Sequence, residues 1–160
     1  MGNYMAFYST TDFEPDRSLG YLVRRVHQLG QAQLEPMFVE EGMTGTQWSA
    51  LMCIWFERGS TCAELARDLN HDKGAMTRLV DTLEQRGWVT RVRDSDDRRV
   101  INLTLTDEGR AIGLRCKLRV IAYWNALLKD WDEGDAQTLI MLLQKLRGTM
   151  ESATAEGTQA

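Results

Sequence analysis

Between Gly87 and Thr106 the spacing of apolar residues switches from helical to extended, then switches back. Upstream, Met76, Leu79, Val80 and Leu83 fall at i, i+3, i+4 and i+7, a single stripe on a helix. Inside the interval, Ile101, Leu103 and Leu105 alternate with Asn102 and Thr104, a period of two. Residues 88–93 and 100–105 therefore predict two strands. The cluster Asp94-Ser95-Asp96-Asp97 supplies turn-forming side chains between them, which makes a β-hairpin.

Helices are expected on both sides of the hairpin. Leu19, Leu22, Val26, Leu29 and Met37, with polar Gln33 among them, step by three and four through residues 16–41. Pro36 should kink this helix, and Gly42 should close it. Trp48, Leu51, Met52 and Trp55 mark a second helix over 44–57, ended by Gly59. Ser60 or Thr61 can cap a third helix over 62–69, with stripe Cys62, Leu65, Ala66 and Leu69. Asn70-His71 makes a short turn, and Asp72 caps a fourth helix that runs to Arg86 and stops at Gly87. After the hairpin, Thr106 caps a long helix with Asp107 and Glu108 in its first turn, where they complement the dipole. Its seam is Leu114, Leu118, Ile121, Trp124, Leu128 and Trp131. Asp132 caps the last helix, with seam Leu139, Leu142, Leu143, Leu146 and Met150, and a fraying polar tail from Ser152.

The fold class is mainly α with a small β-hairpin wing: a winged helix-turn-helix plus a helical dimerisation domain. Residues 44–105 are expected to form the former, residues 16–43 and 106–150 the latter, with tails at 1–15 and 151–160. The long seams have no other large element in this chain to cover them, so they should pack on each other and on a second copy. The N-terminal aromatics Tyr4, Phe7, Tyr8 and Phe13 are expected to dock on that partner.

Composition narrows the function. The chain has 160 residues and a formal charge of -4, so nucleic-acid binding cannot follow from net charge and needs a local patch. Residues 60–99 carry eight bases and eight acids, a neutral segment in an acidic frame. No apolar run reaches the ~20 residues that span a bilayer, and the residues from Met1 to Tyr8 are not expected to act as a secretory signal. Cys53, Cys62 and Cys116 show neither a disulfide framework nor zinc spacing, which suits a reducing cytoplasm. With two histidines, His27 and His71, and no nucleophile elbow, phosphate loop or dinucleotide fingerprint, an enzyme is not expected, nor a cofactor or metal.

Two constellations carry the candidate chemistry. With Met76, Leu79, Val80 and Leu83 buried, the fourth helix presents Lys73, Gly74, Thr77, Arg78 and Asp81 on its other face. That is the geometry of a helix entering a major groove, with Lys73 on phosphate and Arg78 on phosphate or a guanine edge. Ser60, just ahead of the third helix, is grouped with these contacts. The alternative is an ordinary bundle with a solvated charged face. The second constellation is the hairpin tip, where Arg98 and Arg99 project like arginines that enter a narrow minor groove. Asp97 beside them can brace a guanidinium. The alternative is a surface turn of balanced charge.

Taken together, several segments resemble the MarR family of bacterial transcriptional regulators. They are Glu64-Leu65-Ala66, the run from Thr77-Arg78-Leu79-Val80-Asp81 to Arg86-Gly87-Trp88-Val89, Arg91, Asp94-Ser95-Asp96-Asp97-Arg98-Arg99, and Leu103-Thr104-Leu105-Thr106-Asp107-Glu108-Gly109. The resemblance covers roughly residues 47–109. It implies a homodimer on a pseudo-palindromic double-stranded operator, with recognition helices in successive major grooves and wings in minor grooves. By position it implies Arg99 as the minor-groove arginine, Asp97 as the wing brace and Arg78 as the recognition-helix arginine. His71 departs from the family's more usual apolar residue in the turn.

The resemblance also implies release from DNA by a small anionic effector, often an aromatic or phenolic acid. The expected lining is Arg24, Arg25 and His27 as polar anchors, with Trp48 and Met52 as apolar wall; residues of these kinds more often serve as core packing (Trp48, Met52), an interface histidine (His27) or solvated or partner-paired arginines (Arg24, Arg25). Two other readings stay open. One is a redox-sensing regulator acting through Cys116, whose neighbours Arg115 and Lys117 favour a thiolate. The other is a winged-helix adaptor that contacts only proteins, which the basic tip at Arg98 and Arg99 disfavours.

Overall fold

The computed structural model describes residues 7–10 and 13–157, with side chains to residue 154. Six α-helices and one hairpin follow in the order α1 (Leu19–Glu40), α2 (Gly45–Trp55), α3 (Cys62–Asp68), α4 (Lys73–Gln85), β1 (Val89–Arg93), β2 (Ile101–Leu105), α5 (Asp107–Leu127) and α6 (Glu133–Gly157). The chain divides into two compact units, one through Arg119 and one from Val120 onward.

The first unit holds the core. Leu51, Leu65, Met76, Val80, Leu83, Val89 and Cys116 are its most deeply buried side chains, drawn from α2, α3, α4, β1 and α5. They lie on or beside the stripes read from the sequence, because a helix of this length buries one face and no more. β1 and β2 pair antiparallel with Val89 opposite Leu105 and Arg93 opposite Ile101. The free edge of β2 gains one further bond, from the Leu103 N–H to the Ser60 carbonyl at 2.6 Å.

The helix ends are built alike. After α1, Gly42 takes φ +75° while its N–H reaches the Val39 carbonyl and the Met43 N–H reaches the Phe38 carbonyl. This is a Schellman closure, which satisfies carbonyls the last turn leaves free. The same pair of bonds closes α2 at Glu57, α3 at Asn70 and α4 at Gly87, with φ of 56°, 52° and 72°. Gly59 therefore does not end α2: the left-handed residue is Glu57, two positions earlier. The starts of α3 and α4 are capped as expected, by Thr61 in a full capping box and by Asp72, which accepts from the Ala75 N–H at 2.8 Å; Thr44 forms a second full capping box at α2.

Two expectations change, at the start of α1 and the end of α6. α1 begins at Leu19, because residues 15–17 form a separate 3-10 turn, and it continues through Pro36 to Glu40 as the sequence predicts. Its first turn is capped from its own chain. The Tyr8 hydroxyl accepts from the Leu19 N–H at 2.9 Å and donates to the Arg17 carbonyl at 3.2 Å. Tyr8 packs edge-to-face between Phe7 and Phe13, so this aromatic stretch docks on the start of α1. Tyr4 lies outside the described residues. In the second unit, α6 does not fray at Ser152 but continues to Gly157.

Large apolar side chains remain exposed. In the first unit they include Leu22, Val26 and Leu29 on α1 and Leu114 and Leu118 on α5. In the second they include Ile121, Trp124, Leu139, Leu142, Leu143 and Met150. These are the seam positions of the sequence, and Ile140 and Met141 widen the exposed strip on α6. No helix among the described residues is long and apolar enough to cross a membrane.

Candidate nucleic-acid interface

α3 and α4 are joined by Asn70 in the left-handed conformation and by His71, whose N–H bonds the Ala66 carbonyl at 2.9 Å. His71 is therefore accommodated through its backbone, with its side chain exposed. α4 buries Met76, Val80 and Leu83 and turns Lys73, Gly74, Thr77 and Arg78 to solvent. The Thr77 hydroxyl donates to the Lys73 carbonyl at 2.8 Å. The Arg78 guanidinium folds back along the helix start: its Nη1 lies 3.9 Å from the place a Gly74 Cβ would occupy. Asp72 caps the same turn. Its carboxyl sits below the usual carboxylate range, mainly because the Ala75 N–H bonds it and partly because Arg78 is near.

The wing is tied to α4 by Arg91. Its guanidinium meets Asp81 at 2.5 Å and also bonds Glu84. These partners, Asp81 first, push the Arg91 pKa above its ordinary value. Asp81 is thus spent on the wing's base rather than presented to a groove. Thr90 and Thr104 share a hydroxyl bond at 2.8 Å across the two strands.

At the tip the brace is Asp94. One of its carboxylate oxygens accepts from the Asp96 and Asp97 N–H groups at 2.9 and 3.1 Å, and the other accepts from the Asn102 amide at 2.9 Å. Those bonds, the Asp97 N–H first, hold its carboxyl below the usual carboxylate range. Asp97 accepts from the Arg99 backbone N–H at 3.0 Å. It therefore shapes the turn through the backbone, not by gripping a guanidinium as the sequence suggested. Arg98 and Arg99 are both exposed. Sequence reasoning missed Asp94 and Asn102, whose only signal was an Asx-type residue opening the turn.

Ser60 joins the wing to α3. Its N–H and hydroxyl both bond the Glu64 carboxylate, its hydroxyl reaches Asn102 at 3.5 Å, and its carbonyl holds β2. The Ser60 N–H is the main reason the Glu64 carboxyl lies low in pKa.

The residues expected to bind an effector are not gathered in one chain. Arg24, Arg25 and His27 are exposed on α1, with Arg24 over the Tyr21 ring at 5.6 Å. Trp48 stacks on Phe38 with centroids 5.1 Å apart, and its buried Nε1 has no hydrogen-bond partner among the described residues. Phe38 stands eleven residues from His27, ~16 Å along the helix. Met52 is buried, its methyl 3.1 Å from where a Gly113 Cβ would sit.

Cys116 has a different setting from the one its neighbours in sequence suggested. Its thiol is fully buried, 3.8 Å from the Met43 sulfur, and burial first and Glu41 next raise its pKa. Arg115 and Arg119 are instead paired with Glu41, and Arg119 also meets Glu40 at 2.5 Å. Cys53 is held as a thiol too. Burial and a 3.0 Å bond to Asp68 push it up to about 12. Among the described residues no cluster of His, Cys, Asp and Glu could hold a metal ion.

This geometry has counterparts among known proteins. The MarR family model matches residues 43–101. The multiple antibiotic resistance protein MarR of Salmonella typhimurium is 32% identical over 140 residues, which cover 86% of this chain and 97% of that protein. A mutant MarR from Escherichia coli, solved in complex with operator DNA, is 32% identical with a TM-score of 0.68, covering 80% of this chain and 92% of that one. CouR from Rhodococcus jostii RHA1, bound to p-coumaroyl-CoA, is 25% identical with a TM-score of 0.72, covering 83% of this chain and 94% of that one.

Proposed function

This chain belongs to the MarR family of DNA-binding transcriptional regulators, and we propose that it acts as a homodimeric repressor on a pseudo-palindromic operator. The observation that carries this reading is the pairing of an exposed α4 face (Lys73, Gly74, Thr77, Arg78) with a braced wing ending in Arg98 and Arg99. Such a head places one helix in a major groove and one arginine tip in a minor groove. Its neutral charge balance limits what one copy can gain from phosphates, so two half-sites are needed. The exposed seams of α1, α5 and α6 support a second copy of the chain as their cover. Repression then follows from occupying the promoter.

A small aromatic or phenolic acid relieves it in this reading. Support comes from CouR, a structural relative seen with p-coumaroyl-CoA. Trp48, with its unpartnered Nε1, and Met52 supply wall and donor. Arg24, Arg25 and His27 are too far along α1 to join them within one chain, so they would come from the partner. The effector works by binding better to a dimer whose recognition helices stand at the wrong separation. Redox sensing is disfavoured by the buried thiols of Cys53 and Cys116.

The test is fluorescence anisotropy of the purified protein on DNA from upstream of its own gene, against unrelated DNA at fixed salt, with and without aromatic carboxylates. Specific binding released by one of the acids is expected. Absence of any preference in a genome-wide site selection would overturn the regulator reading in favour of an adaptor. Deleting residues 132–160 is expected to give a monomer by light scattering, and a stable dimer after that cut would move the interface elsewhere.

A further inference from the structure

A groove of about 420 Å³ opens on the first unit between the end of α2, the edge of β2 and the first turn of α5. Its volume falls in the range of small-molecule sites, roughly 300–1,000 Å³. The floor is apolar, formed by Ile54 and Leu105, and the walls carry Ser60, Asn102, Glu57 and Arg110. Glu57 and Arg110 bear opposite charges, yet neither makes an ion pair among the described residues.

Both charged residues stand on fixed backbone. Glu57 is the left-handed closing residue of α2, with φ 56° and its N–H bonded to the Ile54 carbonyl. Arg110 sits in the first turn of α5, its N–H bonded to the Thr106 carbonyl at 2.9 Å. Its guanidinium rests 5.7 Å from the Trp55 ring centroid and makes no hydrogen bond among the described residues. Two opposite charges that share a groove without meeting each other match a ligand that carries both signs.

We propose that this groove is a binding site for a small amphiphilic zwitterion, an α-amino acid or close analogue. Its carboxylate meets Arg110, its ammonium meets Glu57, and its apolar side chain covers Ile54 and Leu105. A purely anionic ligand faces Glu57, and a purely cationic one faces Arg110. Asn102 links the groove to the wing, because its amide nitrogen holds Asp94. An effect of occupancy on DNA rests on the function proposed above; binding itself does not.

The experiment is a titration of the full-length, ¹⁵N-labelled protein with L-phenylalanine, followed by amide chemical shifts. The comparison compounds are 3-phenylpropionate, which lacks the amine, and 2-phenylethylamine, which lacks the carboxylate. Saturable shifts are expected at Ile54, Glu57, Ser60, Leu105 and Arg110. Arg110→Gln and Glu57→Gln should each weaken L-phenylalanine by about fivefold, the scale of one exposed charge contact. The unliganded spectra report whether each variant is folded, and Arg110→Lys should restore part of the binding. The proposal is overturned if L-phenylalanine produces no saturable shift there up to its solubility limit. It is equally overturned if 3-phenylpropionate binds as well and is indifferent to Glu57→Gln, which would make the groove an anion site. Neither result depends on DNA, so failure here and failure of the regulator reading are separable.

Discussion

The backbone of Trp88 runs so close to Gly109 that a Cβ on Gly109 would lie 1.9 Å from the Trp88 carbonyl oxygen. That oxygen accepts from the Thr106 N–H at 3.1 Å. The Thr106 hydroxyl in turn donates to the Gly87 carbonyl at 2.6 Å and accepts from the Gly109 N–H at 2.9 Å. One threonine therefore caps α5 and fastens it to the point where α4 passes into the wing. The run Leu105-Thr106-Asp107-Glu108-Gly109 is a joint, and its glycine is there because no side chain fits.

Gly109→Ala should push the start of α5 off Trp88 and cost ~1–3 kcal/mol of stability, the usual range for overpacking a buried site. Denaturant unfolding followed by circular dichroism checks this. An unchanged midpoint would mean that the close approach is easily relaxed.

Arg91 and Arg99 should fail in different ways. Arg91 is occupied by Asp81 and Glu84 and holds the wing against α4. Arg91→Ala is expected to lower operator affinity while leaving the salt slope unchanged, since no phosphate contact is lost. Arg99 is exposed at the tip. Arg99→Ala is expected to cost ~1–3 kcal/mol of operator affinity and, if a phosphate contact goes with it, to flatten the salt dependence by about one unit. Anisotropy titrations at several salt concentrations separate the two.

Asp94, with three bonds into the tip, should matter more than Asp97, with one. Asp94→Ala is expected to loosen the turn and measurably weaken operator binding, because three hydrogen bonds to a charged group are lost. Asp97→Ala should lose less. Because Asp94's pKa is lowered in the folded chain, its contribution is present above the ordinary carboxylate range and is lost as the pH falls through the lowered value. The reverse order of the two variants would return the brace to Asp97.

Thiol labelling should find Cys62 first. Cys62 is partly exposed, whereas Cys53 and Cys116 are buried. At pH 8 a disulfide reagent is expected to modify one thiol in the native protein and three after unfolding. Cys53 is raised from its ordinary 9.0 to about 12, so its neutral thiol stabilises the fold fully below pH 9. That contribution is lost as the pH climbs toward 12. Asp68→Asn removes one cause of the shift and should bring the onset of Cys53 labelling to lower pH. Rapid native labelling of Cys116 would revive the redox reading.

Periodicity, caps and composition by themselves determined the element order, the stripes that bury Met76, Val80, Leu83, Leu103 and Leu105, and the exposed faces of α4 and the wing. Those features depend on side chains a few residues apart, and spacing is visible in one dimension. The closing residue of α2 was not visible, because a glutamate in the left-handed conformation carries no compositional mark and Gly59 nearby is the better-looking candidate. Asp97 and Asp94 could not be told apart as the brace, since the choice depends on Asn102 folding back across the hairpin. Cys116 looked activated beside Arg115 and Lys117, but the helix turns it inward to Met43 while Arg115 reaches Glu41. Only the tertiary structure decided these points. Each is set by which atoms from distant parts of the chain share a place, where burial and hydrogen bonding outweigh what sits next door in sequence.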